Sequence, residues 1–217
     1  MLANILKYLF FFFIVKPYIY LGLGINVTGV ENLYKVINGP CIIVANHNSH
    51  VDTLLLMSLF SCSQILNIHP LAAADYFFNT KTKSFIFKNL LGVIPIPRKI
   101  KMITANELFK DTNEVLQKGH SIIIYPEGTR GEDADIKKFH TGVAHIAKMN
   151  PEIPVLPVYI NGPDRILPKG SILWIPFISD IYISEPILYD NTSTKAFTQK
   201  IQNIIEGLKA EHARKTF

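Results

Sequence analysis

Cysteine is scarce. Cys41 and Cys62 are the only two in 217 residues, and no C-x-x-C pair exists. That excludes a disulfide-stapled scaffold and the usual cysteine zinc and redox motifs. Charge is scarce as well, at 18% of residues against 48% hydrophobic. Disordered chains have the reverse balance. Acidic residues are outnumbered by basic ones, 17 to 22, which leaves a net charge of +5. Such an excess attracts anions, and nucleic acid, phosphorylated metabolites and anionic lipid all qualify. The chain has no G-x-S-x-G elbow, which weakens a serine nucleophile. It has no internal repeat and no low-complexity linker, so a single domain with a short appendage fits the length.

Apolar residues are plentiful and unevenly spread. Tyr8 to Val15 reads YLFFFFIV, and YIYLGLGINV follows from Tyr18 to Val27 after Lys16 and Pro17. A membrane span needs about 20 mostly apolar residues. The segment reaches that length only by including Lys16 and a proline that kinks helices. Residues 1–26 are therefore expected to be a membrane-associated helix, spanning the bilayer or lying in its interface with Lys7 and Lys16 snorkelling. A helix of the domain's own core and a signal peptide are the alternatives.

From residue 27 to residue 217 short apolar runs alternate with amphipathic stretches. Cys41–Ala45, Ser121–Tyr125 and Val155–Ile160 are rich in β-branched residues and read as buried strands. Leu71–Ala74, Gly92–Ile96 and Ile181–Ser184 are weaker candidates. Helices are predicted over Val51–Phe60, Thr104–Lys118 and Gly142–Met149. Near the end, Phe197, Ile201, Ile204, Ile205 and Leu208 form a helical stripe. This alternation predicts a single α/β domain, a largely parallel mixed sheet flanked by helices.

Two constellations follow predicted strands, where open α/β sheets bind ligands. The first is Asn46-His47-Asn48-Ser49-His50-Val51-Asp52. On one continuous helix, His47 and Asp52 would lie roughly 140° apart and could not meet. They can meet if His47 sits in the loop and Ser49 starts the helix, with Ser49 and Asp52 at capping-box spacing. Asp52 then fixes the imidazole tautomer, as a general base acting on a hydroxyl requires. Capping alone, or a metal site of His47, His50 and Asp52, would use the same residues. The second constellation is Tyr125-Pro126-Glu127-Gly128-Thr129-Arg130. Gly128 permits a tight turn, while Thr129 and Arg130 offer donors to a phosphate or carboxylate. Glu127 either orients Arg130 or holds an acceptor hydroxyl. Arg98, closing the Gly92–Arg98 stretch, adds a cation, and Ile153–Val158 reads as a buried strand that could line a channel.

In this order and spacing the four elements resemble the glycerophospholipid acyltransferase family, typified by 1-acylglycerol-3-phosphate acyltransferases. Asn46–Asp52 matches N-H-x-S-x-x-D, Gly92–Arg98 matches G-x-I-x-I-x-R, Tyr125–Arg130 matches (F/Y)-P-E-G-T-R, and Ile153–Val158 fits a V-P-(V/I)-x-P-V strand. The resemblance runs from about Val27 to about Ile187. It implies a membrane-associated enzyme of phospholipid biosynthesis, its site on the cytoplasmic side. His47 would be the base and Asp52 its orienter, with direct transfer from acyl-CoA or an acyl carrier protein to a lysophospholipid hydroxyl. Arg98, Glu127, Gly128, Thr129 and Arg130 would bind the acceptor. Asn46 or loop amides would face the oxyanion. No metal or bound cofactor is implied, and no motif supports nucleic acid. Three positions depart from the family. His50 stands where a bulky aromatic is usual. His140 stands where lysine is usual, and Ala72–Phe78 lacks a lysine that many lysophosphatidate enzymes carry. Glycerol 3-phosphate or another lysolipid is thus an alternative acceptor, and a silent lipid-binding protein the alternative of another class.

Overall fold

The computed structural model describes residues 2–49, 51–77, 80–97, 103–129, 136–162 and 178–215. In chain order the elements are α1 (Leu2–Gly22), β1 (Gly24–Thr28), α2 (Val30–Tyr34), β2 (Ile42–Ala45), α3 (Val51–Ser58) and α4 (Cys62–Ile65). Then come β3 (Ile68–Ala73), α5 (Ala74–Phe77), α6 (Lys81–Ile86), β4 (Ile94–Ile96), α7 (Ala105–Leu108) and α8 (Lys110–Gln117). Last are β5 (Ser121–Ile124), α9 (Gly142–Met149), β6 (Val155–Asn161), β7 (Ile178–Ile183) and α10 (Thr194–Lys215). The seven strands form one sheet in the order β1-β7-β6-β2-β5-β3-β4. Every pairing is parallel except that of β6 with β7.

The strands' period of two divides the core. Ile43, Ala45, Ile123, Leu156, Val158 and Ile160 pack with residues of α1 to α4. Ile42, Val44, Ile122, Ile124, Val155 and Tyr159 pack with residues of α8, α9 and α10. Central strands covered on both faces must be apolar at every position, and β2 and β5 are buried throughout. The predicted stripe of α10 is present, with Phe197, Ile201 and Ile205 fully buried.

Three local expectations change. Strand β1 lies inside the apolar N-terminal run and pairs with β7, so the sheet itself takes up residues 24–26. The helix expected over Thr104–Lys118 is divided at Phe109, which leaves helical geometry and buries its ring. Lys7 does not snorkel: it is 3% exposed, and its Nζ donates to the Ile68 carbonyl at 2.7 Å.

Helix α1 packs on the domain by one face only. Lys7, Phe11, Val15 and Ile19 are buried at four-residue intervals, with Leu23 next in line. In an α-helix such a stripe slides by roughly 40° each step. The wider turns at Phe11–Val15 and Tyr18–Gly22, either side of Pro17, absorb that slide. Lys16 Nζ and Tyr20 Oη both donate to the Ser58 carbonyl at 3.0 Å. The opposite face is bare, with Leu2, Phe12, Phe13, Ile14 and Leu21 exposed, the last by 88%.

Beneath α1 lies a basic cluster. His69 donates from Nδ1 to the Gly92 carbonyl at 2.9 Å, and its Nε2 meets His120 Nδ1 at 3.0 Å. Burial, reinforced by Lys7 nearby, pulls His69 from the ordinary 6.5 to about 4. A base depressed in the fold is protonated first in the unfolded chain, so stability falls as pH drops from about 6.5 toward about 4. His69→Gln removes that titration. The gap between thermal melts at pH 7 and pH 5 is expected to narrow in the variant, with the depressed His120 keeping part of it, and an unchanged gap would refute this account.

Candidate active site

Strands β2 and β5 are neighbours at the centre of the sheet, and their connections leave to opposite faces: α3 on one, α9 on the other. The crevice at their carboxyl ends is where such sheets bind ligands. The two constellations meet there.

Asn46 prolongs β2. Its side-chain amide donates to the Ile160 carbonyl at 2.9 Å and accepts from the Ile160 N–H at 2.8 Å, copying one more rung of the β2–β6 ladder. These bonds use one of the two Nδ2 protons and fix the amide in place. The chain then turns, and Asp52, in the first turn of α3, gathers the turn onto one oxygen. Its Oδ2 accepts from the N–H of Asn48 and of Ser49, both at 2.8 Å, and from His47 Nδ1 at 2.9 Å. Asp52 is therefore cap and orienter at once. It is 1% exposed, whereas the His47 side chain is 17% exposed. With the proton of Nδ1 committed to the carboxylate, Nε2 is the basic nitrogen, and it has no hydrogen bond among the described residues.

The β5 side supplies two further contacts to His47. The Tyr125 ring stacks on the imidazole, with centroids 4.2 Å apart and planes 20° apart. Its hydroxyl meets Thr53 Oγ1 at 2.9 Å. Burial, with the Asp52 charge adding to it, pushes that phenol well above its ordinary range. Glu127 is 3% exposed. One of its oxygens accepts the N–H of His47 at 2.9 Å, the other the N–H of Lys137 at 3.1 Å. Burial raises its pKa while these N–H bonds oppose the rise. Gly128 takes φ +69, a conformation that favours glycine, and the His140 ring lies against it. Thr129 is exposed at the mouth.

A family model described as Acyltransferase matches residues 24–161. The chain belongs to the acyltransferase family. It is 30% identical over 152 residues to 1-acyl-sn-glycerol-3-phosphate acyltransferase BAT2, chloroplastic, of Brassica napus, covering 67% of this chain and 40% of that one. It is 32% identical over 163 residues to the 1-acyl-sn-glycerol-3-phosphate acyltransferase of Pseudomonas aeruginosa, covering 75% and 58%. The chain thus spans about half the length of such relatives. The crystal structure of the 1-acyl-sn-glycerophosphate acyltransferase PlsC from Thermotoga maritima shares the fold, with TM-score 0.71 over 97% of this chain and 96% of that one at 22% identity.

In this chain the structure brings together His47, Asp52, Glu127, Gly128 and Thr129. Arg98, Arg130 and His50 lie outside the described residues. Strand β4, which leads to Arg98, ends on the same sheet edge as β5, two strands or about 10 Å away. Sequence reasoning assigned Glu127 to Arg130 or the substrate; its described contacts are the backbone amides of His47 and Lys137, and Arg130 lies outside the described residues. That reasoning missed Thr53 and the stacking of Tyr125. Only the aromatic at the head of the Y-P-E-G-T-R stretch hinted at the latter. Of the loop amides after His47 offered as oxyanion donors, those of Asn48 and Ser49 donate to Asp52, and His50 lies outside the described residues.

Proposed function

We propose that the protein transfers a fatty acyl group from an acyl thioester, acyl-CoA or acyl carrier protein, to the free hydroxyl of a lysophospholipid. The observation that carries this reading is the His47–Asp52 pair, its Nε2 open beside the P-E-G-T turn. Nε2 takes the hydroxyl proton as the oxygen attacks the thioester carbonyl. The tetrahedral intermediate collapses, the C–S bond breaks, and the thiolate leaves with the proton from the imidazolium. An ester and a free thiol result. Thr129, with Arg98 and Arg130, holds the acceptor's phosphate. No metal enters the reaction. A silent lipid-binding protein has no use for a buried carboxylate aimed at an open imidazole.

The acceptor we favour is 1-acylglycerol 3-phosphate, which the names of the relatives carry. The bare face of α1 is the membrane attachment, lying in the cytoplasmic leaflet's interface rather than spanning it. Its other face is already bonded to Ile68 and Ser58, which supports that orientation.

The test is an acyl-transfer assay of the purified protein on a panel of lysolipids and glycerol 3-phosphate, with both donor types, in chelator. Transfer to 1-acylglycerol 3-phosphate should dominate and survive chelation. Arg130→Ala should raise the acceptor's KM by about tenfold or more and leave the donor's alone. Equal effects on both substrates would remove Arg130 from the phosphate site, and activity restored only by zinc would revive the metal site.

A further inference from the structure

We propose that Tyr125 is a positioning residue for the base: its ring face fixes the rotation of the His47 imidazole, and Thr53 holds that ring in turn. The inference rests on the reading of His47 as the base.

A single hydrogen bond from Nδ1 to Asp52 fixes one direction in the imidazole plane. It leaves the ring able to turn about that bond, and such a turn swings Nε2 away from any hydroxyl aligned with a thioester. A second constraint must act on the face of the ring. Tyr125 supplies it, stacked at 4.2 Å and nearly parallel. Tyr125 is the first residue beyond β5, and its ring packs on the core on the α3 side of the sheet, where His47 also lies. The phenol would itself be free to pivot, but its hydroxyl meets Thr53, the residue after Asp52. The contacts close a loop: Asp52 to His47, His47 to Tyr125, Tyr125 to Thr53, and Thr53 back to Asp52 through one peptide bond. Direction and tilt of the base are then set by two different neighbours, Asp52 and Tyr125.

Two variants separate ring from hydroxyl. Tyr125→Leu removes the stacking face and is expected to lower kcat by about 100-fold, the usual loss for a group misplaced by an ångström. Both KM values should stay within about twofold, because binding is untouched. Tyr125→Phe keeps the face and should recover all but about threefold of kcat, as should Thr53→Val. A Leu variant with the parent's kcat, or a Phe variant as slow as the Leu variant, would overturn the inference. A second measurement needs no variant. The ring protons of His47 should resonate upfield of ordinary imidazole positions, shifted by the Tyr125 ring current, and ordinary positions would mean that no stack exists in solution. His47→Ala serves as control. If it retains activity, the base reading fails; if it is inactive while Tyr125→Leu is fully active, only the positioning role fails.

Discussion

His47→Ala is expected to lower kcat by about 100- to 10,000-fold, the range that a positioned general base contributes. The fold should survive, because the imidazole is partly exposed and belongs to neither hydrophobic core. Asp52 would lose one of the three hydrogen bonds on Oδ2 and keep both backbone N–H groups that start α3. The expected result is an inactive protein with the parent's melting temperature and undiminished vesicle binding. Single-turnover assays with acyl-CoA would measure the chemical step directly. Transfer at the parent's rate would remove His47 from the reaction. A drop in melting temperature as large as that from removing Asp52 would make the histidine a structural element instead.

Glu127→Gln should change stability and rate together. The carboxylate divides its two oxygens between the N–H groups of His47 and Lys137. A glutamine has one acceptor, and its NH₂ group must then face one of those N–H groups. One loop loses its tie in a buried place, at a cost of about 1–3 kcal/mol. The His47 backbone is held by that tie, so kcat should fall by about 10- to 100-fold with little change in acceptor KM. The alternative, Glu127 as a ligand of the acceptor, makes the opposite prediction: a raised acceptor KM, an intact kcat and an unchanged melting temperature. Kinetics and a melting curve on one variant therefore choose between the two roles.

Much of the architecture was legible in the chain. Cys41–Ala45, Ser121–Tyr125 and Val155–Ile160 announce β2, β5 and β6 because a strand covered on both faces must be apolar without alternation. β1 was hidden because it is an edge strand attached to a longer apolar run, and hydropathy alone cannot divide Leu23 from Gly24. The break at Phe109 was hidden because helical spacing continues across it, while the ring packs into the second core. The inward turn of Lys7 was hidden as well. A lysine in an apolar segment reads as a snorkelling charge, but the free carbonyl at Ile68 gives it a buried acceptor.

By itself the sequence determined the chemistry on offer: a histidine and an aspartate flanking a helix start, and an acid, a glycine and a threonine after a second strand. It also determined the layer architecture, through the alternation of apolar runs with amphipathic stretches. Which atoms meet was decided only by the tertiary structure. His47 and Glu127 are 80 residues apart. They touch because β2 and β5 pair in parallel, which brings both carboxyl ends to one edge of the sheet. That pairing sets the Glu127 carboxylate against the His47 N–H and the Tyr125 ring against the His47 imidazole. Neither contact has a local signature, because both depend on strand order, and strand order is settled by how the whole core closes.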